Sequence, residues 1–90
     1  DYGNRWEGQG TAGDVRLKAF VDLYEKYNVD IVWNGHIHSY ERTWPIVKGK
    51  AADKGPIYVV CGGGGGGLET HGPTRPEWSN RIRHGHHYCV

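Results

Sequence analysis

Residues 62–67 are six consecutive glycines, and they set the terms on which this chain can fold. Glycine takes left-handed and mirror-β conformations freely and loses more backbone entropy on ordering than any other residue. A run of six therefore has no conformation of its own, and any order it takes must be imposed by its surroundings. The chain carries 15 glycines in 90 residues, and only 37% of it is hydrophobic. A free-standing domain of this length buries only about 60% of the surface its unfolded chain exposes. A piece of a larger protein is thus as compatible with these figures as a small complete domain. The first residues, Asp1-Tyr2-Gly3-Asn4-Arg5-Trp6, lack Met and any signal-peptide pattern, so the chain reads as beginning in mid-protein.

The charge pattern narrows the partners. Eleven basic and ten acidic residues leave a net charge of +1, interspersed with no long run of one sign. That balance argues against a nucleic-acid partner and against an anionic membrane surface. No apolar stretch approaches the roughly 20 residues needed to span a bilayer. The two cysteines, Cys61 and Cys89, each sit in a short apolar run and read as small buried hydrophobes, with a disulfide between neighbouring strands left open. They lack the close spacing of a structural zinc site.

Around the glycine run the chain alternates helix and strand signals. Leu17, Phe20, Val21, Tyr24 and Tyr27 fall at helical spacing, so an amphipathic helix is expected over about residues 12–27. Thr11 to Asp14 resembles a capping box with Asp in place of Glu, and Asn28 provides the stop. Val29-Asp30-Ile31-Val32-Trp33-Asn34 is short, β-branched and apolar, which predicts a buried strand. A loop or short strand follows over 44–47, a polar turn over 48–55, and a second strand over 56–61. Residues 68–83 read as irregular, and 86–90 as a last short strand. Helix, tight link and strand make half of an α/β crossover.

The chemistry concentrates just past the first strand, in Asn34-Gly35-His36-Ile37-His38-Ser39-Tyr40-Glu41-Arg42. In extended backbone, histidines at i and i+2 lie on one side, their Cα atoms roughly 6.6 Å apart at about 3.3 Å of rise per residue. Paired catalytic metals sit about 3.5–4 Å apart, so two such imidazoles can each reach one metal of a pair. Gly35 removes a side chain where a ligand or another backbone must come close. The end of a buried α/β strand is where such folds place their sites.

The wider string Gly-His-Ile-His-Ser-Tyr-Glu-Arg resembles the Gly-His-x-His-x-Tyr-Glu-Arg element of purple acid phosphatases, within the calcineurin-like metallophosphoesterases. Residues 55–64, Gly-Pro-Ile-Tyr-Val-Val-Cys-Gly-Gly-Gly, look like the strand and glycine turn that follow it there. Residues 79–88 are more loosely similar to that family's closing segment.

The resemblance implies an α/β fold. Residues 1–90 would form the C-terminal part of a catalytic β-sandwich flanked by helices, with 55–90 as the closing segment. It implies a binuclear metal centre of Fe(III) with Zn(II), Mn(II) or Fe(II). His36 would bind the divalent ion and His38 the ferric one. Gly35, Tyr40, Glu41 and Arg42 would support the loop, and none of these residues would be a catalytic acid, base or nucleophile.

The reaction implied is acid-phosphatase hydrolysis of phosphate monoesters, with metals polarising the phosphoryl oxygens and acidifying water. The family's upstream aspartate, asparagine and histidine motifs are absent from these 90 residues. The isolated chain is therefore expected to bind metal poorly and to be inactive. A secreted, lysosomal or vacuolar location follows from the family alone.

Other features carry less. His84, His86 and His87 bind metal non-specifically at such spacing. His71 reads as a loop residue, and the four tryptophans as packing. The glycine run lacks a phosphate-loop pattern and reads as a flexible turn near the site. Two alternatives remain: a phosphodiesterase or nucleotidase of the same superfamily, and a self-contained His- and Gly-rich metal-binding module.

Overall fold

The computed structural model describes residues 18–69 and 76–90. The start of the predicted helix, its capping box, Leu17 and His71 lie outside them. The elements run α1 (Lys18–Lys26), β1 (Ile31–Asn34), β2 (Tyr40–Thr43), β3 (Ile46–Val47), β4 (Lys50–Ala51), β5 (Ile57–Cys61) and β6 (Ser79–Arg83).

Helix α1 ends where the sequence places its stop. Asn28 takes φ 53°, its N–H bonds the Glu25 carbonyl, and the Val29 N–H bonds the Tyr24 carbonyl. These are the two bonds of a Schellman motif with asparagine in the left-handed position. The turn sends the chain straight back along the sheet as β1.

β1, β5, β2 and β6 form one mixed sheet in that order, with β1 parallel to β5 and β2 antiparallel to both β5 and β6. Val32 faces Tyr58 across the parallel pair, and with Ile46 they make the core against which Val21, Tyr24, Val29 and Trp78 pack. The Tyr24 and Tyr58 rings meet with centroids 6.3 Å apart. Burying an aliphatic side chain of this kind contributes about 1.5–3 kcal/mol. Among the described residues no helix is long and apolar enough to cross a membrane.

Four expectations need correction. Only Val32 of β1 is buried, while Ile31 and Trp33 are 46% and 55% exposed; among the described residues β1 pairs with β5 alone, and the helix packs on its Val32 face. β5, flanked by β1 and β2, is the strand with a continuous buried stretch. On α1, Val21 and Tyr24 meet the core, but Phe20 and Tyr27 lie on the flank of that stripe and stay exposed. Residues 79–83, read as irregular, form β6: exposed Arg81 and Arg83 alternate with half-buried Ile82, the charged pattern of an edge strand. Residues 86–90 form no strand.

The polar turn holds more order than its composition suggests. β3 and β4 are joined by Lys48 and Gly49 at φ 51° and 78°, both positive as a type I′ turn requires. The Lys48 N–H donates to Glu25 Oε1 at 2.9 Å, tying this hairpin to the helix.

Candidate metal centre

The parallel pairing of β1 and β5 brings the carboxyl ends of both strands to the same edge of the sheet. From one end springs the His36–His38 loop and from the other the glycine run. Carboxyl ends of neighbouring parallel strands are the usual place for a site in an α/β sheet.

The loop is not extended. The Ile37 N–H bonds the Gly35 carbonyl at 2.8 Å, and the Ser39 N–H bonds the Ile37 carbonyl at 2.8 Å. His36 and His38 are therefore the central residues of two successive γ-turns. His36 has φ 71°, the rare and strained form of that turn, whereas His38 keeps an ordinary φ. The turns replace the alternation of a strand, so the expected rise between the histidines does not apply. Ile37 is 2% exposed and anchors the loop in the interior, while His36 is exposed and His38 half-buried.

His38 is held from several directions. Its Nδ1 lies 2.5 Å from the Gly67 carbonyl. A carbonyl can only accept, so the Nδ1 carries the proton and the Nε2 keeps its lone pair. The His38 N–H donates to Glu69 Oε2 at 2.6 Å, and the Glu69 N–H returns to the His38 carbonyl at 3.4 Å. Gly66 lies against the imidazole so closely that a Cβ there would sit 2.6 Å from the ring. The glycine run is thus the wall of the histidine site, and glycine is needed where it meets the ring.

Gly35 opens the loop at the end of β1. A Cβ at this position would meet nothing within 4 Å among the described residues. Its contribution is the carbonyl that closes the first turn.

The supporting residues on β2 divide by face. Tyr40 packs edge-on against Tyr88, centroids 5.8 Å apart at 84°. Glu41 is 1% exposed, and its Oε2 accepts from Ser79 Oγ on β6 at 3.0 Å. Arg42 is exposed and lies opposite Arg81 in the ladder. Ser39 Oγ is buried with no hydrogen-bond partner among the described residues.

Glu69, the Gly67 carbonyl and Tyr88 were not foreseen as site residues. The contacts to Glu69 and Gly67 span 31 and 29 positions of chain, so no local pattern announces them. Tyr88 donates its hydroxyl to the Ser39 carbonyl at 2.6 Å. Burial pushes the Tyr88 phenol up to about 12, and the adjacent Cys61 thiol adds to the shift.

Both cysteines are free thiols, Cys61 half-buried and Cys89 exposed, which corrects the reading of Cys89 as a buried hydrophobe. His84, His86 and His87 are all exposed. Among the described residues no group of three or more His, Cys, Asp or Glu is arranged to hold a metal ion. The donor set fits a shared centre in part: it offers imidazoles in the right chemistry, one with its tautomer fixed, and needs further ligands to complete it.

A mixed sheet with a helix on one face and a histidine loop at the carboxyl ends of its parallel strands has the form of an α/β metallophosphoesterase segment. Known proteins agree. The chain is 36% identical over 88 residues to the probable inactive purple acid phosphatase 27 of Arabidopsis thaliana, covering 84% of this chain and 14% of that protein. It is 42% identical over 67 residues to the nucleotide pyrophosphatase/phosphodiesterase of Hordeum vulgare, covering 63% of this chain and 18% of that protein. It is 37% identical over 70 residues to purple acid phosphatase 18 of Arabidopsis thaliana, covering 74% and 16%.

The solved structure of purple acid phosphatase PPD1 from yellow lupin (Lupinus luteus) seeds superposes with a TM-score of 0.71 at 36% identity, over 86% of this chain and 15% of that one. No protein-family model matches the chain. By sequence and by fold together, the chain belongs to the purple acid phosphatases, and it spans less than a fifth of the length of these relatives.

Proposed function

We propose that His36 and His38 are ligands of a binuclear metal centre in a protein that hydrolyses phosphate monoesters, and that this chain is part of its carboxyl-terminal portion. The observation that carries the reading is the Nδ1–H of His38 held by the Gly67 carbonyl, which leaves Nε2 free to ligate. His36 and His38 stand two residues apart in the Gly-His-Ile-His-Ser-Tyr-Glu-Arg element. When bound, the metal pair, Fe(III) with Zn(II), Mn(II) or Fe(II), supplies Lewis acidity toward phosphoryl oxygens.

The chain's own part is to present and orient its ligands. His36 is presented on a strained turn, and His38 on a loop anchored by buried Ile37 and walled by glycine. A secreted or lysosomal/vacuolar setting belongs to the same proposal, as does a phosphate ester partner without nucleic acid or membrane.

The test is made in the protein of full length. His36→Ala and His38→Ala should each lower kcat for p-nitrophenyl phosphate by at least a hundredfold and reduce the bound metal measured by elemental analysis. Unchanged metal content and turnover in both variants would sink the assignment.

A second reading, phosphodiester or pyrophosphate cleavage, is favoured by the barley relative, whose name carries those activities at 42% identity. A higher kcat/KM for bis(p-nitrophenyl) phosphate than for the monoester would select it. The self-contained metal module is disfavoured, since two imidazoles do not complete a site of their own. The isolated chain is accordingly expected to bind metal weakly and to lack activity, measured by calorimetry with zinc and by the same assay.

A further inference from the structure

A segment of six glycines cannot keep a carbonyl in place unaided. Yet the tautomer of His38 depends on Gly67 staying within hydrogen-bond reach of Nδ1. Something outside the run must order it, and the contacts that do so come from the C-terminal segment.

The Tyr88 N–H donates to the Gly63 carbonyl at 2.9 Å, and the Tyr88 ring lies so close to Gly63 that any Cβ there would overlap it. One step before, His87 Nε2 lies 2.8 Å from the Gly66 carbonyl, next to the carbonyl that holds His38. The acceptor is again a carbonyl, so His87 is the donor. On the opposite side, the Tyr88 hydroxyl donates to the carbonyl of Ser39, the residue after His38, and the Gly62 N–H shares that acceptor at 3.3 Å. The ring is braced by Tyr40 on β2. Two consecutive side chains thus clamp the glycine run at residues 63 and 66 and the histidine loop at residue 39.

We propose that His87 and Tyr88 are positioning residues for His38: acting through the glycine run, they hold its imidazole in the Nδ1–H tautomer that leaves Nε2 to ligate a metal. The inference rests on reading His38 as a metal ligand and adds the groups that keep it competent. A tail that only packs would affect stability alone. A tail that positions would change the proton distribution on one imidazole ring while the fold persists.

The experiment uses the protein of full length, metal-free and labelled with 15N-histidine, observed by long-range 1H–15N correlation, with MnCl2 added as the metal probe. In the wild type His38 should show a single Nδ1–H pattern, with Mn2+ broadening at His36 and His38. Tyr88→Phe removes the bond to Ser39, and His87→Ala removes the bond to Gly66. In each, His38 should pass to a mixture of tautomers. Its apparent Mn2+ affinity should fall about tenfold relative to His36, the low end for loss of an outer-sphere partner. His87→Gln keeps a donor for Gly66 and should restore the wild-type pattern.

An unchanged His38 pattern with affinity within twofold of wild type in both deletions overturns the proposal. So does failure of His87→Gln to rescue, which also decides the case if His87→Ala loses its native backbone dispersion. If Mn2+ broadens neither His36 nor His38 in the wild type while the tautomer still responds to the substitutions, the metal-centre reading fails and the positioning role stands.

Discussion

Replacing His36 with glycine should stabilise the chain relative to replacing it with alanine, which reverses the usual order of these two residues. His36 sits at φ 71° inside a hydrogen-bonded γ-turn, where a Cβ is crowded by the backbone. A non-glycine residue in such a conformation stores on the order of 1–3 kcal/mol. Glycine relieves that strain but gives the unfolded chain more freedom, a loss of about 0.4–1 kcal/mol. Taking the lower part of the strain range, the net preference for glycine is about 1 kcal/mol.

His36→Gly and His36→Ala lose the same imidazole, so any metal-linked effect cancels between them and only the backbone term remains. In urea, with a slope of about 1 kcal/mol per molar for a chain of this size, the glycine variant should unfold roughly 1 M later. Tryptophan fluorescence reports the transition, since Trp33, Trp44 and Trp78 all lie among the described residues. Equal midpoints, or a later midpoint for alanine, would show that the turn carries no strain and that the argument is mistaken.

Gly66→Ala places a methyl against the His38 ring and should displace it, seen as a changed His38 15N pattern; Gly64→Ala, whose Cβ would meet nothing within 4 Å, should leave that pattern unchanged. Ser79→Ala removes the hydroxyl that donates to buried Glu41 and should cost about 1–3 kcal/mol in urea denaturation; a loss under 0.5 kcal/mol would show that the bond is dispensable. Tyr88 is raised from 10.0 to about 12 on folding, so its stabilising contribution is fully present below about pH 10 and is lost as pH climbs through about 12. The difference in tyrosinate absorbance between wild type and Tyr88→Phe should therefore have its midpoint well above 10, and a midpoint at 10 or lower contradicts the burial argument.

The sequence made the local features legible and left the long-range ones hidden. Asn28 as the helix stop and the strand at 57–61 follow from signals within a few residues: a left-handed-tolerant amide after a helical stripe, and a β-branched apolar run. The histidine pair also announced itself locally, through its spacing after a strand and the string around it. The backbone between the two histidines did not, because a γ-turn leaves no composition signal and two hydrogen bonds decide it. β6 went unseen for a related reason: a strand with one apolar residue among two arginines reads as loop until its partner β2 is known. The exposure of Trp33 could not be inferred from its apolar neighbours, since it depends on which strands flank β1, and among the described residues only β5 does.

The glycine run shows how these two levels join. By itself it is the least structured part of the sequence, yet in the fold its backbone lies against the His38 ring. The same property explains both. Without Cβ atoms the run has no preference to resist an imposed shape, and without Cβ atoms its backbone can come within contact of His38 and of Tyr88 on either flank. The loop that carries the histidines is fixed by its own hydrogen bonds and by buried Ile37. The run is fixed by its contacts to that loop and to the tail. Order therefore passes from tail to glycine backbone to imidazole, and the residue that gains a defined proton position at the end of this path is the one whose chemistry depends on having it.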